Sequence, residues 1–230
     1  MKTEEGRLLD ADRALIRRAL RTPRGRYSAG RASQLSAVPE RTLYDWAKTE
    51  ILVPDWNLAT PRAWSYRDIV YIRLLAWLRS KDMPRAEASI RVVDLRALLA
   101  NAEIDPKVRS DGTIMLVGDE AVDRMTGQQA FDGIAELLDI FHVAEPIDGV
   151  SRGELWGPSL VRPSRHTYIS PWVMGGDPCL TDSRIPSASI YALSAERRLD
   201  PAQIAALYPD TTVEQIEDAL ALETRLRRAA

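Results

Sequence analysis

Cysteine and histidine are scarce in this 230-residue sequence. Cys179 is the sole cysteine, which excludes an internal disulfide and fits a reducing cytosol. The two histidines, His142 and His166, stand too far apart in sequence for a local metal-ligand motif. Gly175-Gly176 is not followed by the Gly-Lys-Ser/Thr ending of a phosphate loop. Neither catalysis nor a cofactor is therefore expected, and Cys179 reads as structural rather than nucleophilic. No apolar run approaches ~18 residues, so no membrane-spanning helix is expected. Met1-Lys-Thr-Glu-Glu-Gly lacks the apolar centre of a secretion signal, and a bacterial cytoplasmic location is the expectation.

What is present is a divided charge. Residues 1–100 hold 19 Lys and Arg against 12 Asp and Glu, a balance of +7; residues 101–230 hold 12 against 21, a balance of −9. The first part should attract a polyanion and the second should repel it. The length suffices for two compact domains. Four segments are expected: 1–26, a basic helix and arm; 27–100, a winged unit; 101–160, a small α+β connector; and 161–230, a trihelical unit. The fold class is mainly α with a minor β component.

Residues 8–21 read as a short helix, with Asp10 or Asp12 as N-cap and Leu15, Ile16 and Leu20 as its apolar stripe. From Arg13 to Arg31, both included, the sequence holds seven arginines and no acid. Such a stretch is either a solvated helix face and connector or an arm laid on phosphates; Arg24, Arg26 and Arg31 are the candidates for the second role. A short turn at Ala37-Val38 then leads to a helix opened by Pro39, whose missing N–H costs nothing there. Val38, Leu43 and Trp46 share its buried side. Glu40, Arg41, Thr42, Tyr44, Asp45 and Lys48 take the other, the layout of a helix-turn-helix that offers polar side chains to a major groove.

Ile51-Leu-Val-Pro54 closes that unit, and a polar loop leads to Arg62-Ala-Trp64-Ser-Tyr66. A further helix begins at Ser65 with a capping-box-like Asp68, and Ile69, Ile72, Leu75, Trp77 and Leu78 cover too wide an arc for a surface helix. Tyr71 and Trp77 are expected in the core. Another helix runs from Met83-Pro84 to about Ala100. Val108 to Val117 reads as a hairpin around Asp111-Gly112. Gln128 to Phe141 reads as an amphipathic helix, and Val143 to Pro163 as irregular. Beyond Val161, two short strands flank a Gly-rich turn. Three helices follow, starting at Pro186, at Asp200-Pro201 and at a Thr211–Glu214 capping box. They are expected to bury Ile190, Leu193, Ile204, Leu207, Val213, Ile216 and Leu220.

Two stretches carry resemblances. Ala37-Val38, Thr42-Leu43-Tyr44-Asp45-Trp46, Ile51-Leu52-Val53-Pro54 and Arg62-Ala63-Trp64 resemble the turn, recognition helix, exit and wing of the MerR family. Tyr44 and Asp45 replace that pattern's Arg and first Tyr. Gly176-Asp-Pro178, Arg184-Ile185-Pro186, Tyr208-Pro209, Ile216 and Ala219-Leu220 resemble a small bacterial domain of unknown function. Its genes often lie beside those of PIN-like nuclease toxins. A MerR-like unit followed by that domain, which reads as a homeodomain-like bundle, is similar to the large VapB-type antitoxins.

The resemblance implies an antitoxin that binds operator DNA to repress its own operon and blocks a PIN-like ribonuclease. The expected DNA contacts are Arg24, Arg26, Arg31, Arg41, Thr42, Tyr44, Lys48, Arg62 and Trp64. The acids Glu214, Glu217, Asp218 and Glu223 are set against the basic groove of a ribonuclease, since each would oppose a phosphate field. They could equally form a solvated face or a homodimer contact. A homodimer is expected because one short recognition helix rarely suffices for operator affinity. The alternative is a stand-alone MerR-like regulator with a ligand-sensing or dimerising C-terminal half.

Overall fold

Apolar residues three and four apart set the first helices. In α1 (Asp10–Arg21), Ile16, Ala19 and Leu20 are buried. The structure, a computed structural model, describes residues 10–80, 84–100, 105–108, 114–117 and 157–229. Asp12 does not cap α1; it faces Arg162 at 3.2 Å. Ser28 caps α2 (Ala29–Ser36) by accepting the Arg31 N–H at 3.2 Å, and Ala37 ends it in the left-handed region. Pro39 stands just outside α3 (Glu40–Lys48) as its N-cap, one position earlier than expected. Val38, Leu43 and Trp46 are buried, as their spacing predicts.

α4 (Tyr66–Ser80) is central. Ile69, Val70, Tyr71, Ile72, Leu74 and Leu75 are all buried, which accounts for the wide apolar arc. Each fully buried aliphatic chain contributes roughly 1.5–3 kcal/mol. The capping box forms: Asp68 Oδ2 accepts the Ser65 N–H at 2.8 Å, and the Asp68 N–H reaches Ser65 Oγ at 3.1 Å. The side chain of Trp77 lies outside the described residues. α5 (Arg85–Ala100) packs on α4. Strands β1 (Asp105–Val108) and β2 (Ile114–Val117) pair antiparallel with Val108 opposite Ile114. The Asp111-Gly112 turn and the Gln128–Phe141 segment lie outside the described residues.

In the last part, β3 (Thr167–Tyr168) pairs antiparallel with β4 (Cys179–Leu180) around a 3-10 turn at Met174–Gly176. Three helices follow: α6 (Ser187–Arg197), α7 (Pro201–Leu207) and α8 (Val213–Ala229). Asp200 and Gln203 form a reciprocal capping box at α7. The box at α8 joins Thr212 and Gln215, one position beyond the expected pair: the Gln215 N–H reaches Thr212 Oγ1 at 3.2 Å and the Thr212 N–H reaches Gln215 Oε1 at 2.9 Å. Leu180, Ile190, Ile204, Ile216 and Ala219 make the core. Leu207 and Val213 do not join it: they are 57% and 41% exposed where the α7–α8 turn faces outward. The chain is thus mainly helical, with eight helices and two small antiparallel sheets among the described residues.

The expected boundary near residue 160 is not a gap in packing. Leu222 and Leu226 of α8, with Leu160, Val161 and Ile169, join the core built by α1 to α5. Beside them Glu223, fully buried, takes two bonds from Arg31 of α2: Nη2–Oε1 at 2.7 Å and Nη1–Oε2 at 3.2 Å. Ser187 Oγ donates to the same carboxylate at 2.5 Å, and Arg31 Nε donates to Asp177 at 2.8 Å. Arg31 is therefore not a phosphate contact, nor Glu223 a partner contact: each is consumed by the other. Removing one partner of a buried pair leaves the other charge uncompensated, at a cost of about 3–5 kcal/mol. Arg31→Ala and Glu223→Ala should each lower stability by that order in urea unfolding, while the double variant Arg31→Met/Glu223→Leu should recover most of it. A Glu223→Ala protein as stable as the parent would contradict this account of the junction.

Candidate nucleic-acid interface

The arm and the loop after α3 are tied together through the backbone. Tyr27 and Trp64 exchange both N–H···O bonds, at 2.8 and 3.0 Å. The Tyr66 N–H reaches Arg24 O at 2.8 Å, and Trp56 Nε1 reaches Gly25 O at 2.8 Å. A second bridge joins Ala63 to Trp56. Three strips therefore run side by side, carrying Arg24 and Arg26 exposed and Arg62 half-buried. The arm is also held from below. Arg26 N–H donates to Gly175 O at 2.7 Å and Tyr27 Oη to Gly176 O at 2.9 Å. A Cβ on Gly176 would fall 2.1 Å from Tyr27 Oη, so only glycine admits this approach.

A charge cluster fixes the base of the loop. Asp55 accepts Arg67 Nε and Nη2, each at 2.8 Å, Ser65 Oγ at 2.5 Å, and a further bond from Arg96. Burial alone would raise the Asp55 carboxyl, but the bonds from Arg67 and Ser65 and the charge of Arg96 bring it below the usual range. Asp68 has the opposite fate. It is fully buried, accepts only the N–H groups of Asp55 and Ser65, and lies 3.7 Å from Arg96. Burial, then the neighbouring Asp55 charge, push it up to about 6.

Along α3, Arg41, Tyr44 and Lys48 are exposed and Thr42 is half-buried, while Leu43, Trp46 and Ala47 hold the helix inward. Tyr44 meets Trp64 edge-on with ring centroids 5.5 Å apart, which joins α3 to the loop that follows it. Trp64 itself is 1% exposed and is not available to DNA; it is the support on which Tyr44 leans. Asp45, the acid that would oppose a phosphate, is paired at 2.7 Å with Arg85 of α5. Arg85 went unnoticed in the sequence because 40 residues separate it from Asp45 and no pattern links them.

The acids of α8 are dispersed. Glu214 pairs with Arg165 at 2.9 Å and lies 3.3 Å from His166 Nε2. Asp218 is half-buried and accepts Ser164 Oγ at 2.6 Å and the His166 N–H at 2.8 Å. With Glu223 buried, Glu217 is the one of the four that points to solvent with no partner among the described residues. Residues 168–222 match the family model described as Protein of unknown function (DUF433). The DUF433 segment thus spans β3 to most of α8 and stops one residue short of Glu223. No curated protein and no solved structure matches the chain.

The Asp55–Asp68 cluster gives the loop between α3 and α4 a pH signature. Asp68 holds its proton more firmly folded than unfolded, so its stabilising contribution is fully present below about 3.9 and is lost as pH rises through about 6. Asp55 works in reverse: its contribution is present above that unfolded value and is lost on acidification. Asp68→Asn keeps an oxygen for both N–H groups and removes the first term. Relative to the parent it should gain stability as pH rises from about 4 to about 6 and level off above that. Asp68→Ala orphans two donors and should lose roughly 1–3 kcal/mol for each. Denaturant midpoints across that range decide the matter; a gain for Asp68→Asn confined to acid would refute the assignment.

Proposed function

We propose that this chain is a DNA-binding antitoxin: its basic first part reads operator DNA as a MerR-like winged helix-turn-helix and represses its own operon, and its C-terminal part engages a PIN-like ribonuclease. The observation that carries the DNA reading is α3. It follows α2 after a three-residue turn, buries Leu43, Trp46 and Ala47, and leaves Arg41, Tyr44 and Lys48 outward beside a backbone-paired wing and arm. Arg41, Thr42, Tyr44 and Lys48 are assigned to base edges and Arg24, Arg26 and Arg62 to phosphates. Arg85 contributes by cancelling Asp45.

The antitoxin half of the reading rests on the DUF433 segment and on the resemblance of the two units in series to VapB-type antitoxins. A second reading, a regulator whose C-terminal half dimerises or senses a ligand, draws support from the acids of α8: Glu214, Asp218 and Glu223 are all engaged within the chain. Growth distinguishes them. Expression of the neighbouring reading frame should arrest cells, and co-expression of this full chain should restore growth; a harmless neighbour favours the regulator.

On DNA, Arg41→Ala should cost about 1–3 kcal/mol on the preferred site and relax its discrimination. Arg62→Ala should weaken all sequences alike and reduce the slope of log K against log salt by about one. Gel-shift titrations at several salt concentrations separate the two, and equal loss of discrimination in both variants would defeat the division of roles.

A further inference from the structure

Leu58 is 97% exposed, the most exposed of the large apolar side chains among the described residues. A lone surface leucine needs no explanation, but this one stands on a fixed projection. It lies at the tip of the loop that joins α3 to α4, and its neighbours on both sides are held. The Asn57 N–H donates to Pro54 O and the Ala59 N–H to Trp56 O, both at 3.1 Å. Trp56 is pinned twice, through its indole to Gly25 O at 2.8 Å and through its bridge to Ala63. At the base of the loop, Asp55 is gripped by Arg67, Ser65 and Arg96. The side chain has no core to fold back into and no slack backbone to carry it there.

The surroundings suit a polyanion. Between Asp55 and Asp68 the sequence holds no acid. Arg62 lies in the same loop, and the Gly25 carbonyl that holds Trp56 sits between Arg24 and Arg26. Two residues beyond Arg62, the buried Trp64 supports Tyr44 on the outer face of α3.

We propose that Leu58 is an apolar wedge with which this protein kinks duplex DNA, entering between two base steps at the minor groove beside the site read by α3. The inference rests on the DNA-binding reading above. Apolar side chains inserted in this way partly unstack the step and bend the duplex by roughly 20–90°. The flanking arginines then hold the phosphates of the bent segment.

The test uses the full-length protein and the duplex immediately upstream of its own reading frame, with bending read by circular-permutation mobility and by end-to-end energy transfer. The parent should bend the duplex. Leu58→Ala, whose melting temperature should be unchanged because the side chain touches no core, should lose most of the bend and bind about tenfold more weakly. Leu58→Met should keep both. On the same duplex carrying a mismatch at the kinked step, where the stacking is already broken, Leu58→Ala should regain parental affinity. A Leu58→Ala protein that bends DNA like the parent overturns the proposal, as does a parent that binds without bending; in both cases the DNA-binding reading survives. A parent that binds neither this duplex nor unrelated DNA removes that reading and the wedge with it.

Discussion

A guanidinium and a carboxylate buried together join the two ends of this chain. Taking Arg31 and Glu223 out of water is costly, and their attraction repays that cost only when the geometry is good and the remaining polar atoms are satisfied. Both conditions hold. The contact is bidentate, Ser187 takes the carboxylate from a second side, and Asp177 and Gln34 take the other guanidinium donors. The pair stands where the last turns of α8 pass α2, flanked by Leu222 and Leu226. Once α8 is placed, so is the Gly175–Asp177 turn, and through Tyr27 the course of the arm is set. The conformation of the basic part thus depends on the acidic part.

Among the described residues, three buried arginines are satisfied in three ways. Arg31 meets carboxylates from the C-terminal part, and Arg67 meets Asp55 from the neighbouring loop. Arg73 is wholly buried and donates to the Leu35 and Pro158 carbonyls. Burial pulls Arg73 down to about 9, so it remains charged at neutral pH. The Leu35 carbonyl is one of the last in α2, where the helix dipole favours a cation. Gly157 lies against the same carbonyl, close enough that a Cβ would fall 2.5 Å from it. Through these bonds the guanidinium links α4 to the end of α2 and to the Pro158 carbonyl.

This arrangement bears on function through what it leaves outside. Charges that looked like two opposed surfaces in the sequence are partly turned inward, and the inward members come from both groups. Among the described residues of the basic part, Arg18, Arg24, Arg26, Arg41, Lys48, Arg79 and Arg85 are exposed and Arg62 is half-buried. In the acidic part, the exposed acids among the described residues are Asp182, Glu196, Asp200, Asp210, Glu214 and Glu217, spread over several elements.

Local pattern was enough for much of the fold. The spacing of Val38, Leu43 and Trp46, the Ser65–Asp68 box, the Asp200-Pro201 start and the wide apolar arc of α4 each mark an element through interactions within a few residues, and such interactions are written in sequence order. The outward set on α3 was legible for the same reason, because a helix period assigns faces. Arg31 carried a sign that it differed from the other arm arginines: it lies four residues before the buried Leu35, on the inward side of α2. Charge alone hid this. That Glu223 would meet it, that Arg85 would cancel Asp45, and that Trp64 would lie beneath Tyr44 rather than on DNA were decided only by tertiary structure. Each depends on a contact between residues 20 to 192 positions apart, and no periodicity reaches across such a distance.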